Sequence, residues 1–207
     1  MTINTYKSKV LPIFAFFIAI SGIGAYFSQF LSPNTQRIAL ISWIFIVVLS
    51  LIVRVFLKKL SGIICTVLVV LTGIILGPGI NYIANTLGGE MLIAQALGIT
   101  ALAFIVLSVV AIRSGDQYLS WGKYLFFSLI IAILASIVNV FILSNMLQAI
   151  ISTVILVIFL GFVLYDTQNI LKNYSDDDYF NAATTLYFDF VNIFIYVLDF
   201  LDSIRGR

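Results

Sequence analysis

The sequence predicts an all-α integral membrane protein of seven transmembrane helices. Three observations carry that expectation. Hydrophobic residues make up 62% of the 207 residues and charged residues only 10%, and the mean hydropathy is +1.15, which excludes a soluble domain with an ordinary core. Apolar runs of about 20 residues, long enough to cross the hydrocarbon of a bilayer, recur along the chain. The 11 basic and 9 acidic residues lie largely in the breaks between those runs. At about 20 residues per span, this length allows six to eight helices in a single domain and no separate soluble one.

The spans are expected at residues 10–31, 38–57, 62–85, 91–112, 124–143, 147–170 and 182–204. The first follows a polar tail bearing Lys7 and Lys9. It exceeds a signal-peptide core and lacks a small-residue cleavage pattern, so it reads as a retained helix. Ser32, Pro33 and Asn34 then form a turn. The second span ends at Lys58 and Lys59, with Arg54 one turn inside. The third meets Gly77, Pro78 and Gly79, where a kink or break is expected, and closes at the turn of Leu87, Gly88 and Gly89. The loop of residues 113–123 separates the fourth span from the fifth, which carries Asn139. A short turn at Ser144 and Asn145 leads into the sixth, whose end reads Asp166, Thr167, Gln168 and Asn169. An acidic loop, Asp176 to Asp178, precedes the seventh.

Basic residues alternate by loop. Lys7, Lys9, Arg54, Lys58, Lys59, Arg113, Lys123 and Lys172 fall on one side, and Arg37, Arg205 and Arg207 on the other. By the positive-inside rule the amino terminus is cytoplasmic and the carboxyl terminus outside. The single cysteine, Cys65, has no partner for a disulfide or a thiolate metal site, and there is no histidine. Proton sensing near neutral pH then falls to carboxylates. Transition metals lose their preferred ligands, while a hard cation bound by oxygen stays open. No cofactor is expected, and nothing points to nucleic acid.

The seventh span holds Asp189 in its interior and Asp199 nearer its end. An intramembrane carboxylate costs a few kcal/mol or more, which marks Asp189 as a candidate site. At about 100° per residue, Asn181, Thr185, Asp189, Asn192, Tyr196 and Asp199 share an arc of about 80°. Such a stripe should face other helices or a water-filled path rather than lipid. Asn, Thr and Tyr also serve as ordinary glue between helices, a reading that suits a lone carboxylate poorly.

Asp166 lies six residues before Lys172, or about 9 Å along a helix, and Asp189 about 12 Å from the same loop. Consecutive antiparallel spans are usually neighbours, so the two carboxyls can meet near the cytoplasmic end. Arg54, about 6 Å in, is the basic residue at comparable depth. Two carboxylates in a low-dielectric site do not both ionise easily and titrate as a unit, which makes a charge switch. The plainer alternative has Asp166 ending its helix and Asp189 paired with Arg54 for assembly alone. An intramembrane aspartyl protease would also place two aspartates on late spans. Its Gly-x-Gly-Asp is replaced here by Leu186, Tyr187, Phe188 and Asp189, and Pro12, Pro33 and Pro78 lie too early for its downstream Pro-Ala-Leu. The seventh span has no lysine for a retinal Schiff base, and no enzyme activity is expected.

Four stretches resemble the Bax inhibitor-1 (TMBIM) family in its compact bacterial branch: GIILGPGI at 73–80, ALGITALAF at 96–104, LYDTQNI at 164–170 and LYFDFVNIF at 186–194. Their order and spacing agree with the family over nearly the whole chain. The resemblance implies six helices around a central seventh, and a calcium leak controlled by an aspartate pair acting as pH sensor, at positions matching Asp166 and Asp189. It also implies a basic latch at the end of the second span, for which Arg54 or Lys58 qualifies. Some bacterial relatives carry an acid in the second span, where this chain has Ser42, Trp43 and Phe45. The expected function is a pH-modulated passive calcium leak in the bacterial cytoplasmic membrane. Calcium would be the permeant ion, held weakly and transiently by Asp166 and Asp189, and Asn192, Tyr196 and Asp199 would line the outer path. The alternative is a non-conducting partner or modulator of a membrane-bound ATP-dependent protease.

Overall fold

Seven long helices and no strand make up the described residues of the computed structural model. The structure describes residues 1–56 and 61–205, with the side chains at 48–56 and 61 excepted. The helices are α1 (Ile3–Phe30), α2 (Pro33–Phe56), α3 (Ser61–Ala84), α4 (Gly89–Arg113), α5 (Gly122–Ile142), α6 (Asn145–Asn173) and α7 (Tyr179–Ile204). Among the described residues, all but α2 are long and apolar enough by themselves to cross a membrane. The chain is thus an all-α membrane protein. The most apolar window of α7 is 56% buried, against 11–33% for the others.

Local chemistry sets the helix ends. Thr2 caps α1 by accepting the Thr5 N–H, and a π-helical turn over Tyr6–Val10 leads into Pro12, which has no N–H to offer an ordinary turn. Ser32 accepts the Thr35 N–H at 3.2 Å, so Pro33 and Asn34 form the first turn of α2 rather than a loop, as suits proline at that position. The helix α3 runs through Gly77, Pro78 and Gly79 without a break, contrary to the break that these residues allow. Gly88 and Gly115 turn the chain at φ +72° and +64°, a region glycine enters without steric cost. After α5, Leu143 takes φ +57°. Asn139 supports it, accepting the Ser144 N–H and donating to Gln148, each at 3.2 Å.

The chain divides into two compact units. The first contains α1 to α3, residues 173–178 and the start of α7 up to Tyr187. Small residues let α1 and α3 touch backbone to backbone: a Cβ on Gly73 would overlap the Ser21 carbonyl, and one on Gly77 would overlap Ser28. Close approach of this kind replaces the hydrophobic drive that a bilayer does not supply. Tyr187, wholly buried, joins its hydroxyl to Ser21 at 2.6 Å and meets the Phe17 ring edge-on. Trp43 donates to Thr72 at 2.8 Å, tying α2 to α3. The amino terminus is held by the Tyr174 carbonyl and by Asp176, which accepts the Thr2 N–H at 2.7 Å and its hydroxyl at 3.2 Å.

In the second unit, α4, α5, α6 and α7 from Phe188 onward pack together. Ala132 of α5 meets Ile151, Ile155 and Ile158 of α6 in one apolar cluster. Further along, Gly161 leaves room for Leu125 and Gly122 for the Tyr165 ring.

Gly73→Ala should lower stability by about 1–3 kcal/mol through overpacking, measured by unfolding in detergent. Gly79→Ala, where nothing lies within 4 Å, should leave it unchanged or slightly raised. The Thr2 N–H holds the Asp176 carboxyl below its usual range. A group with a lowered folded value contributes above its unfolded value, near 3.9, and loses that contribution as pH falls through the folded one. Hydrogen exchange in the first turn of α1 should therefore be protected at pH 6 and lose that protection progressively as pH falls below the unfolded value, about 3.9, while Asp176→Asn lacks that pH dependence.

Candidate functional site

A five-residue connection turns α6 back into α7, fixed by the Ser175 hydroxyl donating to Asp178 at 2.7 Å. Asp166 of α6 and Asp189 of α7 consequently face each other, with the two carboxyl groups within hydrogen-bond reach. Asp189 is 4% exposed and Asp166 half-buried. Ionised carboxylates only accept hydrogen bonds, so a bond between these groups requires a shared proton. One oxygen of Asp189, Oδ2, is buried and has no hydrogen-bond partner among the described residues.

Gln168, one residue past Thr167, fixes this end of α6. Its Oε1 accepts the Tyr118 N–H at 2.8 Å and its Nε2 donates to the Ala111 carbonyl at 3.0 Å, satisfying one of the carbonyls left open at the end of α4. The Phe104 ring of α4 meets Phe190 of α7 at 5.7 Å between centroids. Lys172 and Asp116 pair nearby at 2.6 Å, but both are more than half exposed, where such pairs contribute little. Gln168 and Thr167 carry no role in the sequence reading. Their signal was two polar residues directly after Asp166 on a helix long enough to continue past it.

The polar stripe of α7 is not uniformly interior. Buried residues from Ala182 to Leu198 occupy an arc of about 220°, with Asp189 at its edge. Asn192 and Tyr196 are half-buried and Asp199 is exposed. Asn192 turns its amide back to its own helix, donating to the Phe188 carbonyl at 2.7 Å. Tyr196 stacks on Phe159 of α6, centroids 6.4 Å apart at 20°, and packs against the Ile151, Ile155 and Ile158 cluster. Beyond it, α6 and the last turns of α7 enclose a cavity of about 720 Å³ lined by Gln148, Ser152, Thr153, Tyr196, Asp199 and Asp202. Ten residues, or about 15 Å along the helix, separate Asp189 from Asp199.

Arg54 lies in α2 with its side chain outside the described residues, as does all of Lys58. Among the described residues no three acidic or thiol groups converge on one point, so a cation at the pair would meet two carboxyl groups.

Residues 3–206 match the family model described as inhibitor of apoptosis-promoting Bax1. The chain is 37% identical to an uncharacterised protein of Campylobacter jejuni over 66% of its own length and 58% of that protein. It is 34% identical to an uncharacterised membrane protein of Vibrio cholerae over 71% and 66% respectively. With protein lifeguard 4 of Mus musculus it shares 30% identity over 56% of this chain and 49% of that one. The matched portions thus span less than two thirds of these relatives' lengths.

Gln168→Leu keeps the volume but strands the Tyr118 N–H and the Ala111 carbonyl. It should cost about 1–3 kcal/mol, read as a lower midpoint of unfolding in detergent.

Proposed function

The chain belongs to the Bax inhibitor-1 family, and from that premise we propose that it is a pH-modulated passive cation leak that admits calcium, with Asp166 and Asp189 as its sensor. The observation that carries this reading is the buried Asp189 carboxyl facing Asp166. In a chain without histidine, this is a group whose charge can change inside an apolar bundle. Two carboxyls without further acidic ligands suit a hard cation held briefly, since a conducting site must release what it binds. Arg54 or Lys58 is the proposed counter-ion. The positive-inside rule sets the amino terminus and the carboxyl pair on the cytoplasmic side of a bacterial inner membrane, with the 720 Å³ cavity toward the outside.

Between pair and cavity stand the stacked rings of Phe159 and Tyr196 and the apolar residues packed beside Tyr196. An apolar constriction excludes hydrated ions, so the conformation described is closed in this reading. Tyr196 then acts as part of the barrier, while Asp199 acts at the outer mouth. Opening requires α6 and α7 to shift, and a change of charge at Asp166 and Asp189 acts on that same helix pair.

The test is calcium entry into liposomes containing the purified protein, measured across pH. Flux should vary with pH in the wild type and lose that dependence in Asp166→Asn and in Asp189→Asn, because an amide does not titrate. Two unaltered profiles would sink the sensor assignment. No flux above protein-free liposomes at any pH would remove the leak and favour a non-conducting partner of a membrane-bound ATP-dependent protease.

A further inference from the structure

Thr100, Phe104, Ser108 and Ala111 are spaced by four, four and three residues, so they share one face of α4. Two contacts fix that face. Phe104 meets Phe190, the neighbour of Asp189, and the Ala111 carbonyl takes the Gln168 amide, next to Thr167 and two residues from Asp166. Ser108 lies between these two anchors along α4. Thr100 lies one turn beyond Phe104.

Among the described residues, the serine and threonine hydroxyls of this region differ from several others inside helices. A serine or threonine inside a helix commonly donates to the carbonyl four residues back. Thr72, Ser136, Thr153 and Thr184 all do so, at 2.8–3.0 Å. Thr100, Ser108 and Thr167 do not: their buried oxygens, like Oδ2 of Asp189, have no hydrogen-bond partner among the described residues. Thr100 and Thr167 have 0% exposure and Asp189 4%. Four such oxygens, carried by the three helices that these anchors join, are not what a dry apolar interface accumulates, since buried polar groups are almost always satisfied.

We propose that α4 forms the third wall of the carboxyl site, and that Ser108, Thr167 and Oδ2 of Asp189 together bind an internal water molecule. A buried water typically makes about three hydrogen bonds, and these three groups supply them. Thr100 extends the site toward a second water about two turns, or about 12 Å, further along α4. Ser108 and Thr167 are then positioning residues that solvate Asp189 without introducing charge. The water gives protons a hydrogen-bonded approach to the pair from the α4 side. This hydration site stands whether or not ions cross the protein.

The deciding experiment is a structure of the full chain in a lipid nanodisc or crystal at a resolution that shows ordered water. Density at hydrogen-bond distance from at least two of Ser108 Oγ, Thr167 Oγ1 and Asp189 Oδ2 is the expected result. If those oxygens touch only carbon, turn back to their own helix carbonyls, or surround a cation, the proposal is overturned. Thr167→Val and Ser108→Ala supply a second readout. A water-bridged hydroxyl lowers the midpoint of thermal unfolding when removed, whereas removing a dry, unpaired one leaves the midpoint unchanged or raises it. Ser108→Ala alone decides this readout if Thr167→Val does not fold. Midpoints that do not fall would overturn the proposal.

Discussion

The contact between Asp166 and Asp189 is the constraint on which the second unit of this protein turns. A carboxyl group in an apolar bundle is tolerated when it finds a polar partner, and here the partner is a second carboxyl, so the two must hold a proton in common to bond. That requirement sets the register of α6 against α7, because a shift of one turn, about 5.4 Å, would separate the groups. Close packing against α5 fixes the same stretch of α6. Gly161 leaves space for Leu125 and Gly122 for Tyr165, while Gln168 closes the end of α4 and orders the chain at Tyr118.

The first unit is assembled on a different principle. Its helices α1 and α3 approach through Ser21, Gly73, Gly77 and Ser28, where the lack of side-chain bulk substitutes for apolar drive. Tyr187 then brings the start of α7 into the same packing, through its ring on Phe17 and its hydroxyl on Ser21. One continuous helix therefore serves two environments. Up to Tyr187 it is fixed by close packing and a neutral hydrogen bond, and from Phe188 onward it presents the acid.

These features bear on family membership in a specific way. The four stretches that carry the resemblance do unequal physical work. GIILGPGI supplies the glycines of the α1–α3 contact, and ALGITALAF supplies Thr100 and the ring that meets Phe190. LYDTQNI and LYFDFVNIF supply the two aspartates together with Thr167 and Gln168. A motif read as a marker of descent is, in the structure, a set of packing and hydrogen-bonding requirements.

Composition and span length by themselves determined that this chain is an all-α membrane protein, because a bilayer leaves so apolar a sequence few other ways to satisfy its backbone. The meeting of Asp166 and Asp189 was also legible, since helix rise and loop position are one-dimensional quantities. What lay beyond one dimension was decided by tertiary structure. Ser32 begins a helix where a turn was read, because its hydroxyl reaches Thr35; α3 passes Pro78 unbroken, which a local breaker does not predict. The stripe of α7 gave the right residues on one face but not which neighbours cover them. Tyr196, read as a lining group, stacks on Phe159, and Asn192 turns back to its own helix. Asp189 alone of the polar residues from Asp189 to Asp199 is fully buried, because only that position lies where the stripe meets the packed face. Periodicity places side chains around a helix axis, but only the packing of other helices decides which of them meet water, protein or lipid.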